Sequence, residues 1–138
     1  MKRKKKKEKK EKRERVGFFL IHGATKTNKQ LEDIKNYLER EGYKVELPLL
    51  PGHGTCPYFN DTCFQHFWQT TPREWQNYAE IRFKIFRKDV DKVYVGGVSI
   101  GGNIAINLAS KYEVDGLILI ATPTVLSPII NFGYYSSV

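Results

Sequence analysis

The sequence predicts an α/β protein, a three-layer sandwich in which a mostly parallel sheet lies between helices. Two short runs of consecutive apolar residues, Val16–Ile21 and residues 117–120, have the pattern of strands that are buried on both faces. Between such runs, apolar residues recur at helical spacing. This alternation is typical of parallel strands covered by helices on both faces, and we expect about four strands and three main helices.

The first half of the chain contains two predicted strands and one predicted helix. The strand Val16–Ile21 ends at residues 22–25, where the sequence HGAT breaks the apolar run. Apolar side chains then recur at helical spacing over residues 31–38, and Gly42 supplies a stop. Residues 43–47 form the second predicted strand.

A long irregular stretch, residues 48–71, follows and is rich in Gly, Pro and aromatic residues. Loops of this length in a compact domain are usually functional or mobile. The loop contains Cys56 and Cys63, which could pair with each other, but two free thiols in a cytoplasmic protein are the preferred interpretation. Neither cysteine shows metal-ligand spacing, so no metal site is expected.

A capping sequence begins the second half of the chain. Thr71 can cap a helix, Pro72 suits its first turn and Glu74 completes a capping box, so a helix is predicted to begin there. The remaining predicted elements are a third strand from residue 93, a small-residue-rich helix over residues 100–110 and a fourth strand over residues 117–120.

The net charge is concentrated in an N-terminal tail. Residues 1–15 hold 11 Lys/Arg and 3 Glu, which accounts for the whole net charge of +8, whereas residues 16–138 hold 12 residues of each sign. A neutral body lacks the broad positive face that captures DNA or RNA, so no specific nucleic-acid partner is expected. No apolar run approaches the ~20 residues of a membrane-spanning helix, so no membrane span is expected.

Residues 2–15 contain only Lys, Arg and Glu, and a segment with nothing to bury is expected to be disordered. We therefore divide the chain into a disordered basic tail, residues 1–15, and a body, residues 16–138. A solvated tail without a partner is the preferred interpretation. The alternatives are an electrostatic arm for RNA or an anionic membrane surface, and a translated purine-rich leader, since Lys, Glu and Arg all have purine-only codons.

The most informative motif is G-x-S-x-G, formed by Gly97, Ser99 and Gly101 between the third predicted strand and the helix after it. A serine in a sharp strand-to-helix turn has a strained backbone and projects its hydroxyl above the sheet. The glycines are needed because side chains there would clash with the neighbouring strand and helix. The helix also directs its N-terminal N–H groups to the same place. The motif therefore predicts a nucleophile at Ser99.

Four segments of the chain carry a further signal. They are, in chain order, Phe19-Leu20-Ile21-His22-Gly23, Pro51-Gly52-His53-Gly54, Thr71-Pro72-Arg73-Glu74-Trp75 and Gly97-Val98-Ser99-Ile100-Gly101-Gly102. Together they resemble the α/β-hydrolase family, in particular its small carboxylesterase and monoacylglycerol-lipase branch, over residues 16–125. The resemblance implies that Ser99 is the nucleophile, that the backbone N–H groups of Ala24 and Ile100 form the oxyanion hole, and that no cofactor is needed.

The histidines are expected to have structural roles. The resemblance implies that His22 and Gly23 support the oxyanion loop rather than moving protons. His53 lies between two glycines in a turn, and His66 lies among aromatic residues of the long loop. In each case packing is preferred to catalysis.

The triad of this fold follows the order Ser, then Asp or Glu, then His. No histidine follows Ser99, and the acidic residues that do, Glu113 and Asp115, are expected at the opposite edge of the sheet. We therefore expect an incomplete α/β-hydrolase fold, truncated before the triad acid and histidine, which alone is inactive or very weak.

The leading hypothesis is a carboxylic-ester hydrolase of acyl-enzyme type, acting on a small acyl ester with a base from sequence outside this chain. The alternatives are a non-catalytic remnant or interaction module without turnover, and a module tethered to RNA or a membrane by the tail. A homodimer or a missing C-terminal half is a possible partner. Five aromatic residues of the long loop either line an acyl site or cover the core: Tyr58, Phe59, Phe64, Phe67 and Trp68.

Overall fold

The computed structural model describes residues 13–54 and 66–123. Within them, four strands and three main α-helices occur in the predicted order. Their bounds are β1 (Val16–Ile21), a 3-10 helix (Asn28–Leu31), α1 (Glu32–Arg40), β2 (Lys44–Glu46), α2 (Pro72–Arg87), β3 (Lys92–Val98), α3 (Ile100–Lys111) and β4 (Gly116–Ile120). None of the helices in these ranges has the length and apolar composition of a membrane span. Residues 1–12, Cys56 and Cys63 lie outside the described residues, and so do the predictions made for them, whereas Arg15, the last residue of the predicted tail, is described and its N–H donates to the Asp91 Oδ2 at 2.8 Å.

The four strands form one parallel sheet in the order β2-β1-β3-β4. β1 pairs with β3 as far as Ile21 opposite Gly97, and β3 pairs with β4 as far as Val98 opposite Ile120. Parallel strands need crossover connections, which α1, α2 and α3 supply. The carboxyl ends of β1, β3 and β4 therefore meet at one edge of the sheet.

Helices cover both faces of the sheet, and each face has its own apolar cluster. On the face of α2 and α3, Phe19 contacts Phe83 with ring centroids 5.5 Å apart, and both side chains are fully buried. On the face of α1, Leu20 packs with Leu31 and Val45. Because successive strand residues point to opposite faces, a wholly apolar β1 fits a strand between two helical layers. The predicted α/β architecture is confirmed.

The first residues of α2 hydrogen-bond to one another and to Thr70, whose hydroxyl lies close to the turn that contains Pro51. The Thr71 Oγ1 accepts from the Glu74 N–H at 3.2 Å, and the Glu74 Oε2 accepts from the Thr71 N–H at 2.6 Å, so the predicted capping box is present. Trp75 is buried, and its Nε1–H donates to the Thr70 Oγ1 at 2.9 Å. The Thr70 hydroxyl donates to the Phe67 carbonyl oxygen at 2.9 Å, and the Pro51 carbonyl oxygen lies 3.3 Å from the same hydroxyl.

β4 is the outermost strand on its side of the sheet within the described residues. After Gly116 its sequence is wholly apolar, yet Leu117, Leu119 and Ile120 are 42%, 42% and 41% exposed. An apolar strand with an open edge is a template for further strand pairing.

Candidate active site

Ser99 occupies a sharp turn between the carboxyl end of β3 and the first residue of α3. Its φ of 53° and ψ of −119° lie in a region that residues with a Cβ rarely adopt. The Ser99 N–H donates to the Ile120 carbonyl of β4 at 2.9 Å, which holds the strained turn against the neighbouring strand. Ser99 is the N-cap residue of α3, but its side chain makes no capping hydrogen bond. The hydroxyl of this half-buried residue is therefore left for another partner.

Gly97 and Gly101 have no room for a side chain. A Cβ at Gly97 would lie 2.3 Å from the backbone carbonyl carbon of Gly101, and a Cβ at Gly101 would lie 2.2 Å from the Ile21 carbonyl oxygen. Real Cβ atoms essentially never approach within 3.0 Å of other heavy atoms. The close contact of α3 with β3 and β1 therefore forms only with glycine at both positions.

The loop after β1 lies beside Ser99. A Cβ built on Gly23 would be 3.6 Å from the Ser99 Cβ, which shows how closely the two segments approach. Among the residues that the structure describes, the N–H groups of Ala24 and Ile100 find no hydrogen-bond acceptor. Ile100 is the first residue of α3, and first-turn N–H groups have no partner within a helix. The predicted nucleophile thus lies close to a loop and a helix start with unpaired amides.

His22 is buried under this loop, and both of its ring nitrogens are engaged. It is 1% exposed, its Nδ1–H donates to the Gly23 carbonyl at 2.8 Å, and its Nε2 accepts from the Leu50 N–H at 3.1 Å. Because Nε2 is an acceptor, the ring proton is on Nδ1. Burial disfavours the charged ring and lowers the pKa of His22 to about 4. His22 therefore has no nitrogen left to take a proton from Ser99.

The Gly23 carbonyl sets the direction of the Ala24 N–H. This carbonyl accepts from the His22 Nδ1 at 2.8 Å and from the Lys26 N–H at 3.3 Å. The C=O and N–H of a planar trans peptide point in opposite directions. Fixing the carbonyl therefore also fixes the adjacent amide, which points away from His22.

His53 is the second buried histidine and packs among rings. It is 4% exposed, and its ring centroid lies 4.9 Å from that of His22, 5.2 Å from Phe67 and 5.0 Å from Trp75. Its Nδ1–H donates to the Pro51 carbonyl at 2.9 Å, and its Nε2 has no partner within the described residues. Burial lowers the pKa of this imidazole. His53 belongs to the packing around His22.

The acidic residues that follow Ser99 lie toward the other end of the sheet. Glu113 and Asp115 precede β4, and the Asp115 Oδ2 accepts from the Val93 N–H, near the start of β3, at 2.8 Å. Ser99 comes six residues after Val93, which is roughly 20 Å at the rise of a parallel strand. Neither carboxylate is in a position to act with Ser99.

In the described part of the long loop, one aromatic side chain packs against the core and the next is exposed to solvent. Phe67 packs against Trp75 with ring centroids 5.2 Å apart and joins the core, whereas Trp68 is 75% exposed. His66 is half-buried in the helical turn of residues 66–68. Phe67 therefore covers the core. Three further aromatic residues lie outside the described residues: Tyr58, Phe59 and Phe64.

Two features of the site have no signal in the sequence. The first is Gln30 of the 3-10 helix, whose Oε1 accepts from the Gly23 N–H at 2.9 Å. The second is a cluster of strained residues, because Thr25, Ser99 and Ala121 are the described non-glycine residues with positive φ, and they follow β1, β3 and β4. Such strain is common at functional sites. Of these three residues, only Ser99 lies in a sequence motif that predicts a strained backbone.

The chain is similar in sequence to known lipases and esterases. The protein family described as Hydrolase_4, serine aminopeptidase S33, matches residues 12–132. The chain is 28% identical over 104 residues to a thermostable monoacylglycerol lipase of Bacillus sp. (strain H-257), and 22% identical over 105 residues to a carboxylesterase of Bacillus subtilis (strain 168). Each alignment covers 75% of this chain but 39% and 40% of the respective relative, so the chain spans about two fifths of the length of these curated relatives.

A solved structure extends the similarity to three dimensions. The chain matches a structure reported for LipS and LipT, two metagenome-derived lipolytic enzymes, with a TM-score of 0.73 and 23% sequence identity. The match covers 86% of this chain and 46% of that chain. This likeness bears on the fold alone, and it agrees with the α/β-hydrolase fold that the sequence predicts.

Proposed function

The chain belongs to the family described as Hydrolase_4, serine aminopeptidase S33, and from this premise we propose that it forms part of a carboxylic-ester hydrolase that uses a serine acyl-enzyme. The observation that carries the proposal is Ser99, a half-buried serine in a strained turn whose hydroxyl caps no helix. An ester substrate is favoured because the curated relatives are named as a monoacylglycerol lipase and a carboxylesterase.

In the proposed reaction, the Ser99 Oγ attacks the acyl carbon of an ester while its proton passes to a general base. The negative charge that develops on the acyl oxygen is bound by the N–H groups of Ala24 and Ile100, each worth roughly 10²–10³ in rate. Collapse of the tetrahedral intermediate breaks the bond to the alcohol, which leaves with the proton from the base, and Ser99 stays acylated. Water then attacks the acyl-enzyme in the same way and releases the carboxylic acid.

The scaffold residues have distinct proposed roles. Gly97 and Gly101 allow the turn that presents Ser99, because neither position has space for a Cβ. His22 and Gly23 support the oxyanion loop, since the imidazole holds the Gly23 carbonyl. No step of the reaction uses a metal or a cofactor.

We propose that the general base and its acid lie in polypeptide outside residues 1–138. All three histidines precede Ser99 in the sequence, and the two that are fully buried, His22 and His53, are held by backbone groups. The curated relatives are about two and a half times as long as the matched region, which leaves ample sequence for both residues. The chain by itself is therefore proposed to be inactive or very weak, with the missing half or a second copy as its partner.

The substrate is proposed to be a small-molecule acyl ester in the cytoplasm. The cytoplasmic assignment rests on the interpretation of Cys56 and Cys63 as free thiols. No specific nucleic-acid partner is proposed, because the body, residues 16–138, is neutral.

A fluorophosphonate probe tests the proposal directly, because it reacts with a serine hydroxyl that lies beside an oxyanion site, and reacts faster when a base activates that hydroxyl. We expect slow labelling of the full chain, since the oxyanion donors are present and the base is not, and we expect Ser99→Ala to abolish it. Ser110→Ala is the matched control, since Ser110 is an exposed serine of α3 whose hydroxyl donates to the Asn107 carbonyl at 2.7 Å. Absence of labelling in folded protein supports the alternative, a non-catalytic α/β-hydrolase remnant or interaction module.

A further inference from the structure

The buried amide of Gly23 depends on one side chain. Gly23 follows β1, and the pairing of β1 with β3 stops at Ile21, so the Gly23 N–H lies beyond the ladder. Within the described residues its acceptor is the Gln30 Oε1, 2.9 Å away. A buried N–H without an acceptor is costly. The hydrogen bond to Gln30 therefore stabilises the present orientation of the His22–Gly23 peptide.

The two peptide planes that meet at Gly23 are held separately. Gln30 holds the His22–Gly23 peptide by its N–H, whereas His22 and Lys26 hold the Gly23–Ala24 peptide by its C=O. The φ and ψ angles of Gly23 relate these two planes, and glycine restricts neither angle strongly. The direction of the Ala24 N–H therefore depends on both sets of hydrogen bonds.

Gln30 is also close to the proposed nucleophile. A Cβ built on Gly23 would lie 3.5 Å from the Gln30 Oε1 and 3.6 Å from the Ser99 Cβ, so both groups lie on the same side of Gly23. The Gln30 residue is exposed overall, so loss of its acceptor oxygen is felt at the Gly23 N–H and in the geometry of the loop rather than in the core.

We propose that Gln30 is a positioning residue of the oxyanion site, which fixes Gly23 so that the Ala24 N–H points at the acyl oxygen. This inference rests on the proposed function of Ser99. The hydrogen bond on which it depends, however, can be measured without any activity.

The first experiment measures amide hydrogen exchange at Gly23 by NMR in the full chain. Gln30→Met keeps the length of the side chain but removes the acceptor, and it is expected to raise exchange roughly tenfold or more. Gln30→Glu keeps an acceptor oxygen and is expected to retain protection. Lys29→Met, at the exposed neighbouring position, is the matched control and is expected to change nothing. Equal protection of Gly23 in the Gln30→Met variant and the control overturns the proposal.

The second experiment measures inactivation by the fluorophosphonate probe and separates the maximal rate from the half-saturating probe concentration. Gln30→Met is expected to lower the maximal rate roughly 5- to 50-fold, less than outright loss of one oxyanion donor. The half-saturating concentration stays unchanged, and the thermal unfolding midpoint falls by only a few degrees. An unchanged maximal rate overturns the positioning role. A wild-type chain that is never labelled contradicts the proposed function of Ser99, and exchange at Gly23 then decides whether Gln30 holds the loop.

Discussion

At the residue scale, two N-cap hydroxyls show how backbone conformation decides what a side chain can do. Thr71 caps α2 from an extended conformation, φ −114° and ψ 155°, and its Oγ1 accepts from the Glu74 N–H. Ser99 holds the same position on α3, but its φ of 53° gives no capping hydrogen bond. The strain at Ser99 therefore leaves its hydroxyl available. Serine and threonine are both residue types that favour the N-cap position, so the difference comes from the backbone.

The buried neutral His22 predicts a loss of stability in acid. The pKa of His22 is about 4 in the folded chain against 6.5 for a free imidazole, so the unfolded chain binds more protons between these pH values. From this group the free energy of unfolding is expected to be constant above pH ~7 and to fall by about 3 kcal/mol as the pH drops to ~4. Chemical denaturation at a series of pH values measures this free energy of unfolding.

Two variants separate this contribution from that of other groups. His22→Gln is expected to remove the part of the decline between pH ~6.5 and ~4 that comes from His22, because glutamine does not titrate, whereas the part that comes from the buried His53 remains. His53→Gln, at the other buried histidine, is the matched comparison and is expected to keep the part of the decline that comes from His22. A decline of the same size in the His22→Gln variant would show that the imidazole is not its source.

At the element scale, the strand β2 is shorter than the sequence predicts. The sequence predicts a strand over residues 43–47, whereas the structure has Lys44–Glu46. Pairing with β1 covers only these three residues. The Leu47 carbonyl accepts instead from the Asn28 Nδ2 at 3.2 Å, and Pro48 has no N–H to continue a ladder. A competing side chain and a proline therefore end the strand.

The capping box of α2 predicts a measurable cost of its removal. Thr71→Ala deletes the hydroxyl that accepts from the Glu74 N–H and is expected to lower the free energy of unfolding by about 1 kcal/mol. Asn77→Ala, at an exposed position inside the same helix, is the control and is expected to be neutral or slightly stabilising. Urea denaturation measures the free energy of unfolding of both variants. Equal values would show that the Thr71 cap does not stabilise the protein.

At the scale of the whole molecule, the sheet is unevenly covered. β1 and β3 are central strands with helices on both faces, and their side chains are largely buried. β4 has the same apolar composition, but Leu117, Leu119 and Ile120 stay 41–42% exposed within the described fold. The sheet therefore presents one edge with the composition of an interior strand.

This edge predicts concentration-dependent self-association of the chain. Leu119→Lys puts a charge on the open strand and is expected to weaken association at least roughly tenfold, because an edge lysine opposes strand pairing. Ile81→Lys is the matched control, since Ile81 is 58% exposed on α2, away from the edge. Sedimentation equilibrium measures both. Association that is unchanged by Leu119→Lys would place the contact elsewhere.

The sequence by itself determined the kind and order of the elements and the position of the key serine. Apolar runs marked β1 and β4, a capping box marked the start of α2, and the G-x-S-x-G spacing marked Ser99. These signals are local, because periodicity, capping and turn preferences depend on residues within a few positions of one another. These signals can therefore be recognised without knowledge of the fold.

Only the tertiary structure decided which groups surround Ser99. The Ile120 carbonyl that holds its amide, the Ile21 carbonyl that excludes a side chain at Gly101 and the Gln30 oxygen that holds Gly23 come from other segments. No spacing rule connects them, because their distances are fixed by strand register and by the approach of α3 to the sheet.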